Sequence, residues 1–192
     1  KQQFTAKDDY GVTKGQVAIA LDLPAVARSY GLIADPNVQP PVILDLVLPV
    51  KGSRAEFTTT LVDDLSQHVF ANMPVTMTFS ASDAAMQTGA SAPIKVILPG
   101  RRFFEPTAAA IIEMRRDLLW TRANGPRVVQ ILKAMTWQAD ADFRQPKALA
   151  RLRAVTKSLD QTSLTPGLRD TAALELWKIA LMVEEGNLAD AK

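Results

Sequence analysis

Very few side chains in this chain could do chemistry. There is no cysteine and a single histidine, His68. Without cysteine there are no disulfides, no thiolate metal sites and no Cys nucleophile. One histidine cannot build a His-rich metal site, and any Ser-His-Asp triad would have to use it. His68 lies in DDLSQHVFANMP, which reads as a polar loop between strands, and a triad is recognised by geometry rather than by possession of its parts. Asp8 with Asp9, and Asp63 with Asp64, are adjacent acid pairs. Neighbouring side chains on a strand face opposite ways, so such pairs do not converge as an acid and a base must. The DDYG turn and the loop at Asp83 offer oxygens to a cation. Neither has the D-x-D-x-D-G spacing, nor the six or more oxygens that Ca²⁺ takes. No catalytic residue, metal ligand or cofactor is assigned.

The side chains that stand out are cationic and aromatic. Arg101 and Arg102 precede Phe103 and Phe104 at the junction between two kinds of pattern. The arginines are expected to face the join and the phenylalanines to plug it. Arg115 falls within three or four residues of Ile111, Ile112, Leu118 and Leu119, on an apolar helical stripe. Glu184 has a comparable place beside Trp177, Ala180 and Leu181, so Arg115 and Glu184 are expected to form a structural ion pair. Arg116 points elsewhere, toward solvent or a partner. Trp120, Trp137 and Trp177 could line an aromatic groove, but tryptophan at helical spacing is core filling for at least two of them.

The elements that must position these residues are of two kinds. Up to Leu98 the apolar residues alternate with period two. Val17, Ile19, Leu21 and Leu23 share a face, as do Val42, Leu44, Leu46 and Leu48. Phe57, Thr59 and Leu61 form a third set, Val75, Met77, Phe79 and Ala81 a fourth, and Ile94, Val96 and Leu98 a fifth. DDYG, PVKGS and MQTGAS supply turns. The stretch PAVARSYGLIADPNVQPP, with Pro24, Pro36, Pro40 and Pro41, predicts an irregular crossing between sheets. In FSASDAAMQTGASAPIKVIL, Asp83 and Gln87 can tie a hairpin loop and Gly89 can take a left-handed conformation. The pattern predicts an immunoglobulin-like or fibronectin-like antiparallel β-sandwich over residues 1–99, although the immunoglobulin Cys…Trp…Cys spacing is absent.

From residue 100 the period changes. Pro99-Gly100 ends the last strand, and Glu105-Pro106 opens a helix that ends near Trp120. Pro126 opens a second helix, with Val128, Ile131, Leu132 and Met135 on one stripe. Pro146 opens a third, carrying Leu149, Leu152, Val155 and Leu159. A fourth runs through TPGLRDTAALELWKIALMVEEG, with Gly186 as its stop. NLADAK reads as a further helix cut short. The fold class is all-β followed by all-α, with a small antiparallel bundle of about four helices over 100–192.

The 192 residues, 47% of them apolar, are enough for one or two domains with a buried core. Residues 1–100 hold seven Lys/Arg and nine Asp/Glu, whereas 101–192 hold fifteen and eleven. The basic charges are interleaved with acids, as on a solvated helical surface, and no basic cluster alternates with exposed aromatics. Nucleic acid is not an expected partner. No apolar run reaches membrane-spanning length and no signal peptide is present. The abrupt ends read as those of a fragment cut from a longer protein.

The segments DDYGV, DLSQHVFANMPVTMTFSASDAAMQTGASAPIKVILPGRRFFEPTAAAIIEMRRDLLW and LWKIALMVEEGNLADA resemble a family of long alphaproteobacterial proteins of unknown function. GRRFFEP and EMRR are the most specific part of the resemblance. It implies N-terminal transmembrane helices, a large extra-membrane region and a Gln/Gly-rich tail. The present chain would then be a periplasmic piece of an inner-membrane-anchored protein. The resemblance supplies no catalytic residues. The function expected is a non-catalytic interaction or scaffold module whose partner is another envelope protein or the cell wall. The alternatives are an envelope-polymer hydrolase and a calcium- or wall-polymer-binding sandwich module.

Overall fold

A computed structural model describes residues 2–9, 11–37, 39–49, 54–139, 143, 145–161 and 163–190. The chain separates into two compact units. One contains residues 1–26 and 39–100, and the other 27–38 and 101–192.

The first unit is all β. Its strands are β1 (Gln2–Lys7), β2 (Val12–Leu21), β3 (Val42–Asp45), β4 (Glu56–Leu61), β5 (Pro74–Asp83), β6 (Thr88–Ala90) and β7 (Ile94–Ile97). All pairings are antiparallel. β1 pairs β4 in one sheet; the other runs β3-β2-β5, with β6 and β7 both on the far side of β5. The alternation works as the sequence predicts. Val17 opposes Phe79 and Ile19 opposes Met77 across the β2–β5 ladder. All four side chains are buried, together with Val75, Leu46, Leu98 and Phe70. Phe4 of β1 stacks on Phe79 with centroids 5.3 Å apart, so the inner faces of the two sheets meet across this ring pair.

Some expectations change. β1 lies where no strand was expected, because QQFTAK carries only Phe4 and Ala6 as apolar alternators. In the loop after β5 the left-handed residue is Met86, at φ 64°, and not Gly89. Leu23 belongs to a short 3₁₀ turn over Leu23–Ala25 rather than to β2. The expected PVKGS turn falls largely on 50–53, outside the described residues, as do Tyr10 of DDYG and the last two residues of NLADAK.

The second unit holds α1 (Pro106–Trp120), α2 (Gly125–Thr136), α3 (Pro146–Gln161) and α4 (Pro166–Asp190). Proline stands in the first turn of each, where its missing N–H costs no hydrogen bond. Each helix packs on its sequence neighbours, and α4 closes on α1. Ile111, Met114, Leu118, Val128, Leu132, Leu149, Leu152, Leu176 and Ile179 fill the centre. Trp120 and Trp177 are buried, whereas Trp137, just past the end of α2, is 76% exposed. Gly186 does not stop α4; the helix continues to Asp190 and absorbs NLAD.

The proline-rich stretch also behaves differently from expectation. Residues 27–37 do not cross between sheets. They form a strap on the end of α1 and the 3₁₀ turn after it, Arg122–Asn124, and themselves make a 3₁₀ turn at Tyr30–Leu32. Asn124 Nδ2 donates to the Gly31 carbonyl at 2.7 Å, and Trp120 Nε1 donates to the Ala34 carbonyl at 2.7 Å. Asn37 donates its N–H to the Trp120 carbonyl and accepts from the Arg122 N–H. Two carbonyls of this irregular segment are thereby satisfied by side chains, and the Asn37 N–H by a backbone carbonyl.

Candidate functional site

The buried charges of the helical unit set its electrostatics. Asp117 has no exposed surface. Its Oδ1 accepts from Arg116 Nη2 at 2.8 Å and Nε at 3.2 Å, and its Oδ2 accepts from Arg127. Arg116 also lies 3.5 Å from Glu113 one turn earlier. A carboxylate in such a place is tolerated because two guanidiniums reach it while keeping part of their own hydration. Arg116, expected to point at solvent or a partner, therefore has a structural contact.

Glu184 is the second buried acid. Its carboxylate accepts the N–H of Phe104 at 3.0 Å and that of Glu105 at 2.9 Å. Glu105 in turn accepts the Ala108 N–H at 2.6 Å as the N-cap of α1. Two carboxylates thus serve the positive end of one helix, one of them supplied by α4. Arg115 Nε donates to the Ala173 carbonyl at 3.0 Å, and its guanidinium sits 5.2 Å from the Trp177 ring centre. Burial pulls the Arg115 pKa below its usual range.

The approach to α1 leaves a different surface. Arg101 and Arg102 are exposed, and Phe104 is 80% exposed. Arg101 lies 3.6 Å from Glu185 and 5.5 Å from the Phe103 ring centre. Phe103 turns inward, edge-on to Trp177 at 5.5 Å. The RRFF sequence thus presents two cations and one ring to solvent and anchors itself with the other ring. Of the five residues expected to interact or plug a join, Phe103 packs into the helical core and Arg116 holds Asp117. Arg101, Arg102 and Phe104 remain accessible.

The β unit has a cleft of about 310 Å³ lined by Phe4, Phe57, Phe79, Leu46 and Leu48, with Ser80, Ser82, Ser91, Lys7 and Asp8 among its polar residues. Its walls suit an apolar side chain or a small amphipathic ligand.

Of the acids singled out in the sequence, Asp63, Asp64 and Asp83 hold turns. Asp63 Oδ1 accepts the Asp64 N–H, and Asp64 Oδ1 accepts the Ser66 N–H at 3.0 Å. The Ser66 side chain and then its N–H hold the Asp64 pKa below the usual carboxylate value. Asp83 Oδ1 accepts the Gln87 N–H at 2.8 Å, closing the turn that Met86 makes possible. His68 Nδ1 accepts the Phe70 N–H at 3.2 Å within a turn. Among the described residues no three acids or histidines group as a metal site, and no helix is long and apolar enough to cross a membrane.

Sequence reasoning missed Asp117, and a signal was present. Asp117 lies three residues from both Met114 and Trp120, on the buried face of α1. The strap had no such signal, because its partners are some 85 to 93 residues away in sequence.

A family model described as "Domain of unknown function (DUF4175)" matches residues 1–192. Neither the curated proteins nor the solved structures contain a match to the chain.

Proposed function

We propose that the chain, which belongs to this family of unknown function, is a non-catalytic interaction or scaffold module of a membrane-anchored envelope protein. In this reading it lies in the periplasm and engages another envelope protein or the cell wall. The observation that carries the reading is the exposed Arg101–Arg102–Phe104 surface. An unpaired aromatic ring beside two cations is a costly surface to keep in water, and Arg and aromatic residues are what interface centres are made of. The structural employment of the buried charges supports it too. Asp117 and Glu184 hold helices, and Asp63, Asp64 and Asp83 hold turns. The finer reading of the β unit as immunoglobulin-like is supported by two antiparallel sheets facing each other across Phe4 and Phe79.

Paired affinity capture from an envelope extract tests this. The baits are the wild-type chain and Arg101→Glu/Arg102→Glu/Phe104→Ala, which leaves the Asp117-holding Arg116 intact. A protein held by the first bait and lost from the second is expected. Identical recoveries from two baits of equal melting temperature would contradict the reading.

The cleft favours one second reading, a sandwich that binds wall polymer. Its test is co-sedimentation with purified cell-wall sacculi, compared with Phe57→Ser. Retention of the wild type and loss of the variant would favour the cleft over the arginine surface.

A further inference from the structure

The strap carries an inference beyond the interaction reading. Residues 27–37 meet the helical unit as a peptide ligand meets a receptor. Recognition falls mainly on the segment's backbone: the Gly31 carbonyl to Asn124, the Ala34 carbonyl to Trp120 and the Asn37 N–H to the Trp120 carbonyl. One position is read sterically. A Cβ at Gly31 would overlap the Asp117 carboxylate, so only glycine fits. Among its side chains, Asn37 is read by the Arg122 N–H, the Arg28 guanidinium lies 6.0 Å from the Trp120 ring centre, and Leu32 is buried. The segment also carries its own brace: Arg28 donates to the Leu32 and Ile33 carbonyls and pairs with Asp35 at 3.0 Å. Large residues at its surface stay in water, Tyr30 and Ile33 among them. Tyr30 sits at φ 51°, a left-handed conformation that is strained for a bulky residue and relaxes on release.

The apolar core cluster of the helical unit, in contrast, contains no residue of the strap. We propose that the C-terminal end of α1 and the 3₁₀ turn that follows it, Arg122–Asn124, form a peptide-recognition site. It is filled in cis by residues 27–37 and takes a turn-forming segment of the pattern Gly-Leu-x-Ala-x-x-Asn. The strap is a removable ligand: it leaves and re-seats while α1–α4 stay folded.

Two measurements on the full chain decide this. The first is native-state hydrogen exchange at the Asn37 and Arg122 amides, the two backbone donors that bond across the contact. These are expected to exchange together, at least about tenfold faster than core amides such as Met114 and Leu176, as for a sub-global opening. Exchange at the core rate would overturn the proposal, because the strap would then open only with the whole unit. The second uses Gly31→Val, whose own strap cannot seat, titrated with a synthetic peptide of residues 27–38 and followed by the Trp120 indole N–H resonance. Saturable return of that resonance toward its wild-type position is expected, with no effect from a peptide carrying the same Gly→Val change. A variant that keeps its helices but gives no such response would overturn the proposal. So would a variant that unfolds, because a removable ligand leaves its receptor standing.

Discussion

At the scale of single residues, the chain spends its buried charges on structure. Asp117 is the costliest to bury, since an acid with no exposure loses nearly all of its hydration. Removing both Arg116 and Arg127 by alanine substitution strands that charge and is expected to cost about 3–5 kcal/mol. Asp117→Asn is expected to cost less, because the orphaned guanidiniums reach solvent. Denaturant midpoints of the two variants check the order. Glu184→Ala leaves the Phe104 and Glu105 N–H groups without their acceptor and is expected to lose about 2–3 kcal/mol; Glu184→Gln, which keeps one acceptor oxygen, should lose less. Equal losses would mean that the charge, not the hydrogen bond, matters at this helix end. Asp64 offers a pH test. Its folded-state pKa is depressed, so its small contribution is present above the usual carboxylate range and fades as pH falls through the depressed value. Carboxyl NMR should find it titrating below 3.8, and Ser66→Ala should move it back up.

At the scale of elements, local pattern carried most of the architecture. Period-two alternation located β2, β3, β4, β5 and β7, an opening proline located the first three helices, and the stretch TPGLRDTAALELWKIALMVEEG located the fourth. These signals are local because the physics is local: a strand face repeats every second residue, and proline has no N–H to lose in a first turn. What escaped was set by distance or by context. β1 is short, with two apolar alternators, and is defined by its pairing with β4. Gly186 was read as a stop, yet glycine permits a helix end without enforcing one; α4 continues through it. Its missing Cβ would meet only the end of the Gln145 side chain, which can move aside. Gly186→Ala is therefore expected to be neutral or to gain up to about 1 kcal/mol from helix propensity, read as a shift in thermal midpoint. The tryptophans divide the same way. Trp137→Ser at the open end of α2 should stay within about 0.5 kcal/mol of wild type. Trp120→Phe removes the donor to the Ala34 carbonyl and should cost about 1–3 kcal/mol.

At the scale of the whole molecule, the division into an all-β and an all-α unit was legible, and the path of the chain between them was not. Composition and period change at Pro99-Gly100, which the structure respects. Residues 27–37, however, join the helical unit from within the β half. Nothing in PAVARSYGLIADPNVQPP marks it as a helix partner, because most of its hydrogen bonds to the helical unit run through backbone groups that nearly every residue type possesses. The surface expected to interact was partly legible: RRFF gives two exposed arginines and one exposed ring, while the other ring is an anchor. The most direct test of the central claim, that this exposed surface meets an envelope partner, is site-specific photo-crosslinking in cells that make the full-length protein. A crosslinking residue is placed at position 104 and, as control, at the exposed position 157 of α3. A discrete crosslinked species is expected from 104, absent from 157 and lost when Arg101 and Arg102 are changed to Glu. Matching patterns from both positions, or a crosslink at 104 that survives the arginine changes, would contradict the claim.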